Sequence, residues 1–345
     1  MGVRSTSSHP TTTKADGHLL EYSRNTFVEG GGGTNEIVVE GISASGGVTT
    51  SFAGSDGKAY KIHKFTSSPQ TFSVSSIGNV GSDCDVIIVG GGGGGGEMYG
   101  GGGGAGGLIA GTVTVSTSPG SYAISVGGGG AKSSGSGNPG TNGTNTTAFS
   151  VTALGGGGGG SGPGPATPGE AGGSGGGADG VSPNSGGAGN QPGQSIPGTM
   201  TNYGNAGGGP GTGNPSYYCG GGGGAGGAGG SPSIRYGGPG ILIPTLFPGT
   251  PTPEAQKFSP TGALASGGAG GAYADAAPQI SSNTNPSGGG FAGRPYTPPF
   301  TYEANGQENT GGGGGGDSPG GYQGGNGGSG VVLVRYEIGI AEIGT

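Results

Sequence analysis

Runs of consecutive glycine constrain this chain more than any other feature of its sequence. Gly90–Gly96 and Gly100–Gly104 are uninterrupted, and further blocks recur as far as Gly330. Glycine loses more backbone freedom on folding than any other residue, and inside a helix it costs about 1 kcal/mol relative to alanine. With 101 glycines in 345 residues, long amphipathic helices are excluded. A collagen triple helix is also excluded, because no strict Gly-X-Y period runs through the chain.

Short apolar runs with strand character lie on both sides of the glycine-rich region. Val48–Phe52 and Ala59–Phe65 flank an Asp-Gly turn, which predicts a β-hairpin. Cys84–Val89 is almost continuously apolar, as is typical of a buried strand. The other predicted strands are Glu36–Glu40, Thr71–Val74, Thr112–Ser116, Tyr122–Val126, Ala148–Leu154 and Val331–Tyr336.

This arrangement predicts an all-β fold, in which a small antiparallel β-sandwich carries an inserted bundle of glycine-rich polyproline II helices. A polyproline II helix has three residues per turn and no internal hydrogen bonds, so neighbouring glycine helices can satisfy one another's backbone groups. The alternative is a flexible glycine linker. A strand after the last glycine block favours the ordered bundle, because returning a free linker to the sheet costs entropy.

The predicted domain organisation follows the distribution of glycine along the chain. We assign residues 1–50 to an N-terminal attachment or oligomerisation segment, 51–336 to the glycine-rich domain and 337–345 to a C-terminal tail. The sandwich is predicted to use residues 51–89, 112–126, 148–154 and 331–336, and the polyglycine insertion is 155–330. We expect Val86–Val89 to pair with Val331–Val334 and so close the sheet.

The sequence contains no constellation of residues that predicts catalysis. A G-x-G-x-x-G match follows Cys84–Val89, but no helix-forming sequence comes after it, and there is no P-loop. His63 is interpreted as a half-buried structural or surface residue, and none of the three histidines has metal-ligand spacing. Asp83 and Asp85 are interpreted as turn and solubility residues. We therefore expect no enzymatic activity, no metal and no cofactor.

Charge and hydropathy exclude further classes of function. The net charge is −7 and only 11 residues are Lys or Arg, which argues against nucleic-acid binding. No apolar run reaches the ~20 residues of a membrane span, so we expect no membrane insertion. The N-terminus has no apolar h-region, so we expect no signal peptide and synthesis in a reducing cytoplasm. Whether Cys84 and Cys219 form a bridge stays open at this point.

Aromatic and large apolar residues are concentrated in the connectors between the later glycine blocks. Exposed aromatic loops on a rigid base are a common recognition surface. The alternative is that these residues cover the sides of the glycine bundle or pack between subunits. The candidate contact residues are Tyr217, Tyr218, Tyr236, Leu242, Phe247, Tyr296, Phe300 and Tyr302.

Several motifs in order resemble a known family. KFTSS…TFSV, CDVIIVGGGGGGG, TVTVSTSPGSYAISVGGGG, TALGGGGGG and the final GGNGGSGVVLVRY are similar to the glycine-rich domain of phage tail-fibre and other virion appendage proteins, over residues 60–336. Gly17–Thr34 also resembles the N-terminal stretch of structural proteins from large marine cyanophages. Unlike related phage adhesins, the chain has β segments on both sides of the glycine region and no obvious repeated recognition motif.

The resemblance implies a virion structural protein, made in the host cytoplasm and displayed on the particle as a tail fibre or similar appendage. It implies docking on other virion proteins through the N-terminal segment, a homo-oligomer with a trimer favoured, and contact with a host surface glycan or protein through loops at the bundle tip. A bacterial cell-surface filament or matrix protein is the alternative. The candidate attachment residues are Leu19, Leu20, Tyr22 and Phe27.

Overall fold

The described residues are mostly β, with antiparallel sheets and few helices, which confirms the predicted class. A computed structural model describes residues 27–29, 33–35, 40–135, 137–164, 166–181, 183–193, 199–211, 217–230, 235–271, 289–290, 304–318 and 324–340. The strands are β1 (Phe27–Glu29), β2 (Gly33–Asn35), β3 (Ser43–Ser45), β4 (Val48–Ala53), β5 (Lys58–Phe65), β6 (Gln70–Ser76), β7 (Asp83–Val89), β8 (Leu108–Thr114), β9 (Ser121–Ser125), β10 (Thr146–Ala148), β11 (Val151–Ala153), β12 (Thr201–Tyr203), β13 (Ile241–Leu242), β14 (Ala263–Leu264) and β15 (Val331–Ile340). The helical elements are a 3₁₀ turn at Gln191–Gly193, α1 (Ile243–Leu246) and α2 (Thr252–Ala255).

Two antiparallel sheets form the base of the molecule. The larger sheet has the order β12-β8-β7-β15-β5-β4, and the smaller has the order β11-β10-β9-β6-β3. The last strand, β15, lies between β7 and β5, with Val331 opposite Val89 and Val334 opposite Val86. The predicted closing contact between the two ends of the glycine-rich region is therefore confirmed, as is the β4–β5 hairpin.

Three parts of the strand prediction need correction. Strand β8 begins at Leu108, four residues before the predicted start, because the buried Leu108–Ala110 pair with the end of β7. Ala148–Leu154 is a hairpin and not one strand, since Phe149 and Ser150 have φ of 49° and 63° and turn the chain between β10 and β11. Strand β3 and Ile42 also belong to the sheets and their core, although the prediction placed them in the N-terminal segment.

The inner strands of the larger sheet are buried on both faces. One face packs against the smaller sheet through a cluster that includes Phe65, Phe72 and Ile88. The opposite face carries Ile87 and Leu333, which pack with residues of the connector that contains α1 and α2. Covering both faces explains why β7 and β15 have continuous apolar runs, as strands buried on both sides do.

The glycine segments are neither helix nor strand, and their hydrogen bonds follow a period of three residues. Each N–H of Gly90–Gly96 donates to one of three neighbouring segments in turn, at 2.8–3.0 Å. Gly90, Gly93 and Gly96 donate to Gly107, Gly104 and Gly101; Gly91 and Gly94 to Thr144 and Thr141; Gly92 and Gly95 to Gly328 and Gly325. The carbonyl groups of Gly91–Gly96 accept, with the same period, from 156–159, 130–133 and 314–317. The segment is thus surrounded by six others.

The repeat Gly-Thr-Asn-Gly-Thr-Asn at residues 140–145 hydrogen-bonds to neighbouring segments through its side chains. Each residue type within the repeat faces one particular segment. Thr141 and Thr144 accept from the N–H groups of Ala131 and Gly128, and Asn142 and Asn145 accept from those of Gly158 and Gly155. At Gly140 and Gly143 a Cβ would overlap the carbonyl groups of Gly94 and Gly91. In this part of the sequence the residue types therefore repeat with the same three-residue period as the hydrogen bonds.

Candidate functional site

The loops at the far end of the glycine segments bring together polar and aromatic side chains from separate parts of the chain. Residues 90–96 lead away from β7 and residues 100–107 return to β8, so the loop at 97–99 lies at the end opposite the sheets. We define the distal cluster as Tyr99, Asp179, Tyr217, Tyr218, Arg235 and Asp317.

Tyr99 and Tyr217 form the first aromatic contact of the distal cluster. Met98 and Tyr99 have φ of 46° and 62°, which reverses the chain between two glycine segments. The carbonyl of Tyr99 accepts from the N–H of Gly180 at 3.1 Å. Its ring lies 5.3 Å from that of Tyr217, edge to face, and both side chains stay partly exposed. This geometry is the favoured one for an aromatic pair.

Arg235 and Tyr218 form the second contact. Arg235 is 4% exposed, and its guanidinium carbon lies 5.4 Å from the ring centroid of Tyr218. The carbonyl of Arg235 also accepts from the N–H of Gly270 at 2.9 Å. A cation placed over an aromatic face in this way stabilises the ring's position. Tyr218 is half-buried and keeps part of its surface accessible.

The distal cluster also contains two buried acidic side chains, Asp179 and Asp317. Asp179 accepts from the N–H of Val181 at 2.8 Å and from the Asn184 amide at 2.6 Å. Asp317 is 1% exposed and accepts from the N–H of Ser318 at 2.6 Å. Burial raises the pKa of Asp317 to about 7, and nearby Glu97 acts in the same direction.

Replacing Asp317 tests this buried carboxyl through the pH dependence of stability. Its pKa is about 7 in the folded chain against an ordinary 3.8, so the folded state binds the proton more tightly between these values. The stabilising contribution is complete below pH 3.8 and is lost as the pH rises through 7. The free energy of unfolding of Asp317→Asn, relative to that of the native chain, should therefore be higher at pH 8 than at pH 5, by on the order of 2 kcal/mol.

Urea unfolding of both chains at the two pH values measures this difference. The other titrating groups, including the buried His63, are common to both chains and cancel. A variant with the same effect at pH 5 and pH 8 would contradict the raised pKa.

The remaining candidate contact and attachment residues lie on the surface, in the core or outside the described residues. Tyr236 is half-buried and Leu242 is 40% exposed. Phe247 is fully buried, so it is not available to a molecule in solution, and its candidacy needs correction. Phe27 lies on β1. Tyr296, Phe300, Tyr302, Leu19, Leu20 and Tyr22 lie outside the described residues.

Phe247 is buried because it covers a charged cluster on one face of the larger sheet, around the inner strand β15. The guanidinium carbon of Arg335 lies 4.3 Å from the Tyr60 ring centroid and 4.8 Å from that of Phe247. Arg335 donates to Asp85 through Nη2 at 2.5 Å and Nε at 3.1 Å, and to the Pro248 carbonyl through Nη1 at 2.6 Å. Sequence reasoning interpreted Asp85 as a solubility residue and so missed this pair.

His63 and the two cysteines are structural residues. His63 is fully buried, contrary to a surface position, and contacts the Gly46 carbonyl at 2.6 Å and the Tyr336 hydroxyl at 2.9 Å. Burial lowers its pKa. Cys84 and Cys219 are both free and buried, and burial raises the pKa of Cys84 to about 12. Thiols of this kind are unreactive because little thiolate forms.

A concave surface lies on the side of the glycine segments. It is a groove of about 510 Å³ lined by backbone and by Asn305, Gln307, Glu308 and Asn326. Within the described part of the chain, no group of three His, Cys, Asp or Glu side chains is placed to hold a metal ion. The described helices, with four residues each, are all too short to cross a bilayer.

These features define an antiparallel β protein whose glycine segments pack through their own backbone. The chain belongs to the glycine-rich domain family, whose sequence model matches residues 66–337, from strand β6 to most of β15 with the intervening glycine segments. A comparison with curated proteins finds no significant match.

Proposed function

We propose that this chain is a virion structural protein, a tail fibre or similar surface appendage, that contributes to host attachment. The observation that supports this proposal most is the backbone hydrogen-bonding pattern of the glycine segments. A body held together by hydrogen bonds in six directions suits a stiff appendage that carries mechanical load.

The same pattern supports the proposal that the glycine segments are polyproline II helices. Partners repeat every third residue, and the bonds of Gly90–Gly96 all leave the segment. A polyproline II helix has three residues per turn and no internal hydrogen bonds. A seven-residue segment of this type spans about 22 Å.

The two ends of the molecule suit two different partners. Residues 40 and 340 both lie at the sheet end, where Glu40 bonds Asn79 and Ile340 pairs with Lys58. We propose that the N-terminal segment, which precedes Glu40 in the chain, docks on other virion proteins or on further copies of the chain. The distal cluster lies at the opposite end, and we propose that it contacts a host surface glycan or protein.

Replacing two partly exposed tyrosines of the distal cluster tests the proposed contact. Particles that carry Tyr217→Ser with Tyr218→Ser should adsorb to host cells about ten-fold more slowly, or worse. Tyrosine hot spots at interfaces contribute about 2 kcal/mol, and 1.4 kcal/mol corresponds to a factor of ten in affinity. Ile77→Ser, at an exposed site directly after strand β6, is the matched control and should adsorb normally.

Two results would contradict different parts of the proposal. Normal adsorption by intact double-variant particles would exclude the distal cluster as the contact surface. Failure to detect the chain in purified particles by mass spectrometry would exclude the virion role and favour a bacterial filament or matrix protein.

A further inference from the structure

Strand β4 is the longest edge strand of the two sheets. Strand β4 is the last strand of the larger sheet, and within the described residues it pairs with β5 alone. Val48 is 69% exposed, and Thr49, Ser51 and Ala53 are exposed as well. Within the described part of the chain, no second strand therefore pairs with the outward N–H and C=O groups of β4.

β4 lacks the features by which proteins protect a sheet edge. Such edges are usually short, bulged, or marked by proline or charged residues. The other edge strands, β12, β3 and β11, have three residues each. By contrast β4 has six residues, Val-Thr-Thr-Ser-Phe-Ala, with no charge and no proline, and its register with β5 is unbroken.

The sequence of β4 is complementary to itself in an antiparallel arrangement. A two-fold axis perpendicular to the sheet pairs residues that point to the same face, so the pairing centres on one residue. Centred on Thr50, it places Thr50 opposite its own copy and Val48 opposite Phe52 of the second copy. An aromatic side chain opposite a β-branched one is a favourable cross-strand pair. This pairing covers Val48, the most exposed large apolar residue of the described chain.

We propose that β4 pairs with β4 of a second copy of this chain, with Thr50 on the two-fold axis, so that two larger sheets join into one. The inference is independent of the proposed attachment role. It differs from the trimer that the resemblance implies, because an antiparallel edge pair of this kind joins two copies.

Disulfide trapping in the full chain tests the register. Directly opposite residues of an antiparallel pair have Cα atoms about 4.5–5.5 Å apart, which is within disulfide range. Thr50→Cys should give a covalent dimer under mild oxidation. Thr49→Cys is the matched control and should not, because its copies are offset by two residues. The native cysteines are buried and do not contribute.

Light scattering of Thr50→Lys tests the interface itself. Two lysines facing each other across the axis repel, so the dimer dissociation constant should rise by at least about ten-fold. Thr71→Lys, on an exposed position of the inner strand β6, is the control and should leave the dimer intact. A native chain that is monomeric at high concentration, or trimeric without a Thr50→Cys bridge, would overturn the inference.

Discussion

Gly103→Ala is expected to lower the free energy of unfolding by about 3 kcal/mol or more, the upper part of the range for overpacking a core. The N–H of Gly103 donates to Gly314 at 2.8 Å, and its carbonyl accepts from Gly268 at 2.9 Å. An added Cβ would lie 2.7 Å from the carbonyl carbon of Gly93, closer still to the oxygen of that group. Neighbouring side chains cannot relieve this overlap, because the atoms in the way belong to the backbone.

Gly128→Ala is the matched control for this experiment. Gly128 is exposed, and the nearest atom to its added Cβ is Thr144 Oγ1 at 3.9 Å. We expect unchanged stability or a gain of about 0.5 kcal/mol, because alanine restricts the unfolded chain. Urea unfolding followed by circular dichroism gives both values. Equal stability of the two variants would mean that the glycine segments are not closely packed.

Asp85→Ala is expected to cost about 3 kcal/mol, because it leaves the buried Arg335 without its carboxylate. Arg335 is 3% exposed and is held between Tyr60 and Phe247. The double variant Asp85→Leu with Arg335→Met removes both charges and should recover much of the lost stability.

The exposed ion pair Lys58–Glu337 provides the control, since it also joins β15 to a neighbouring strand, in this case β5, at 2.8 Å. Lys58→Ala should cost less than about 1 kcal/mol, as exposed pairs usually do. Thermal or urea unfolding of the four chains measures all of these differences. A cost for Asp85→Ala no larger than that for Lys58→Ala would contradict a structural role for the buried arginine.

The sheets could be predicted because their strands are compact apolar runs on both sides of the glycine region. The pairing of Val86–Val89 with Val331–Val334 follows from this placement. The burial of Phe247 was missed, although a signal was present. Two continuous apolar strands such as β7 and β15 need cover on both faces. The smaller sheet covers only one face of these strands, so the apolar connector that contains Phe247 must cover the other face.

The distal cluster was less predictable. Asp179, Arg235 and Asp317 follow different glycine blocks, and glycine blocks of similar composition do not reveal which of them become neighbours. The repeat at residues 140–145 was the clearest local signal, because its three residue types correspond to three neighbouring segments. In the uninterrupted run Gly90–Gly96 the same period exists without any chemical difference between positions.

The three-residue period has a consequence for how such a protein can change length during evolution. Inserting one residue into a segment turns every later donor toward a different neighbour, whereas inserting three preserves each direction and lengthens the segment by one period. In a run of identical glycines every position is chemically the same, so the run itself does not favour one alignment over another. The alignment must come from the strands at one end and from threonine and asparagine in adjacent segments. Viable length changes should therefore come in triplets, while the loops that join the segments are free to vary by single residues.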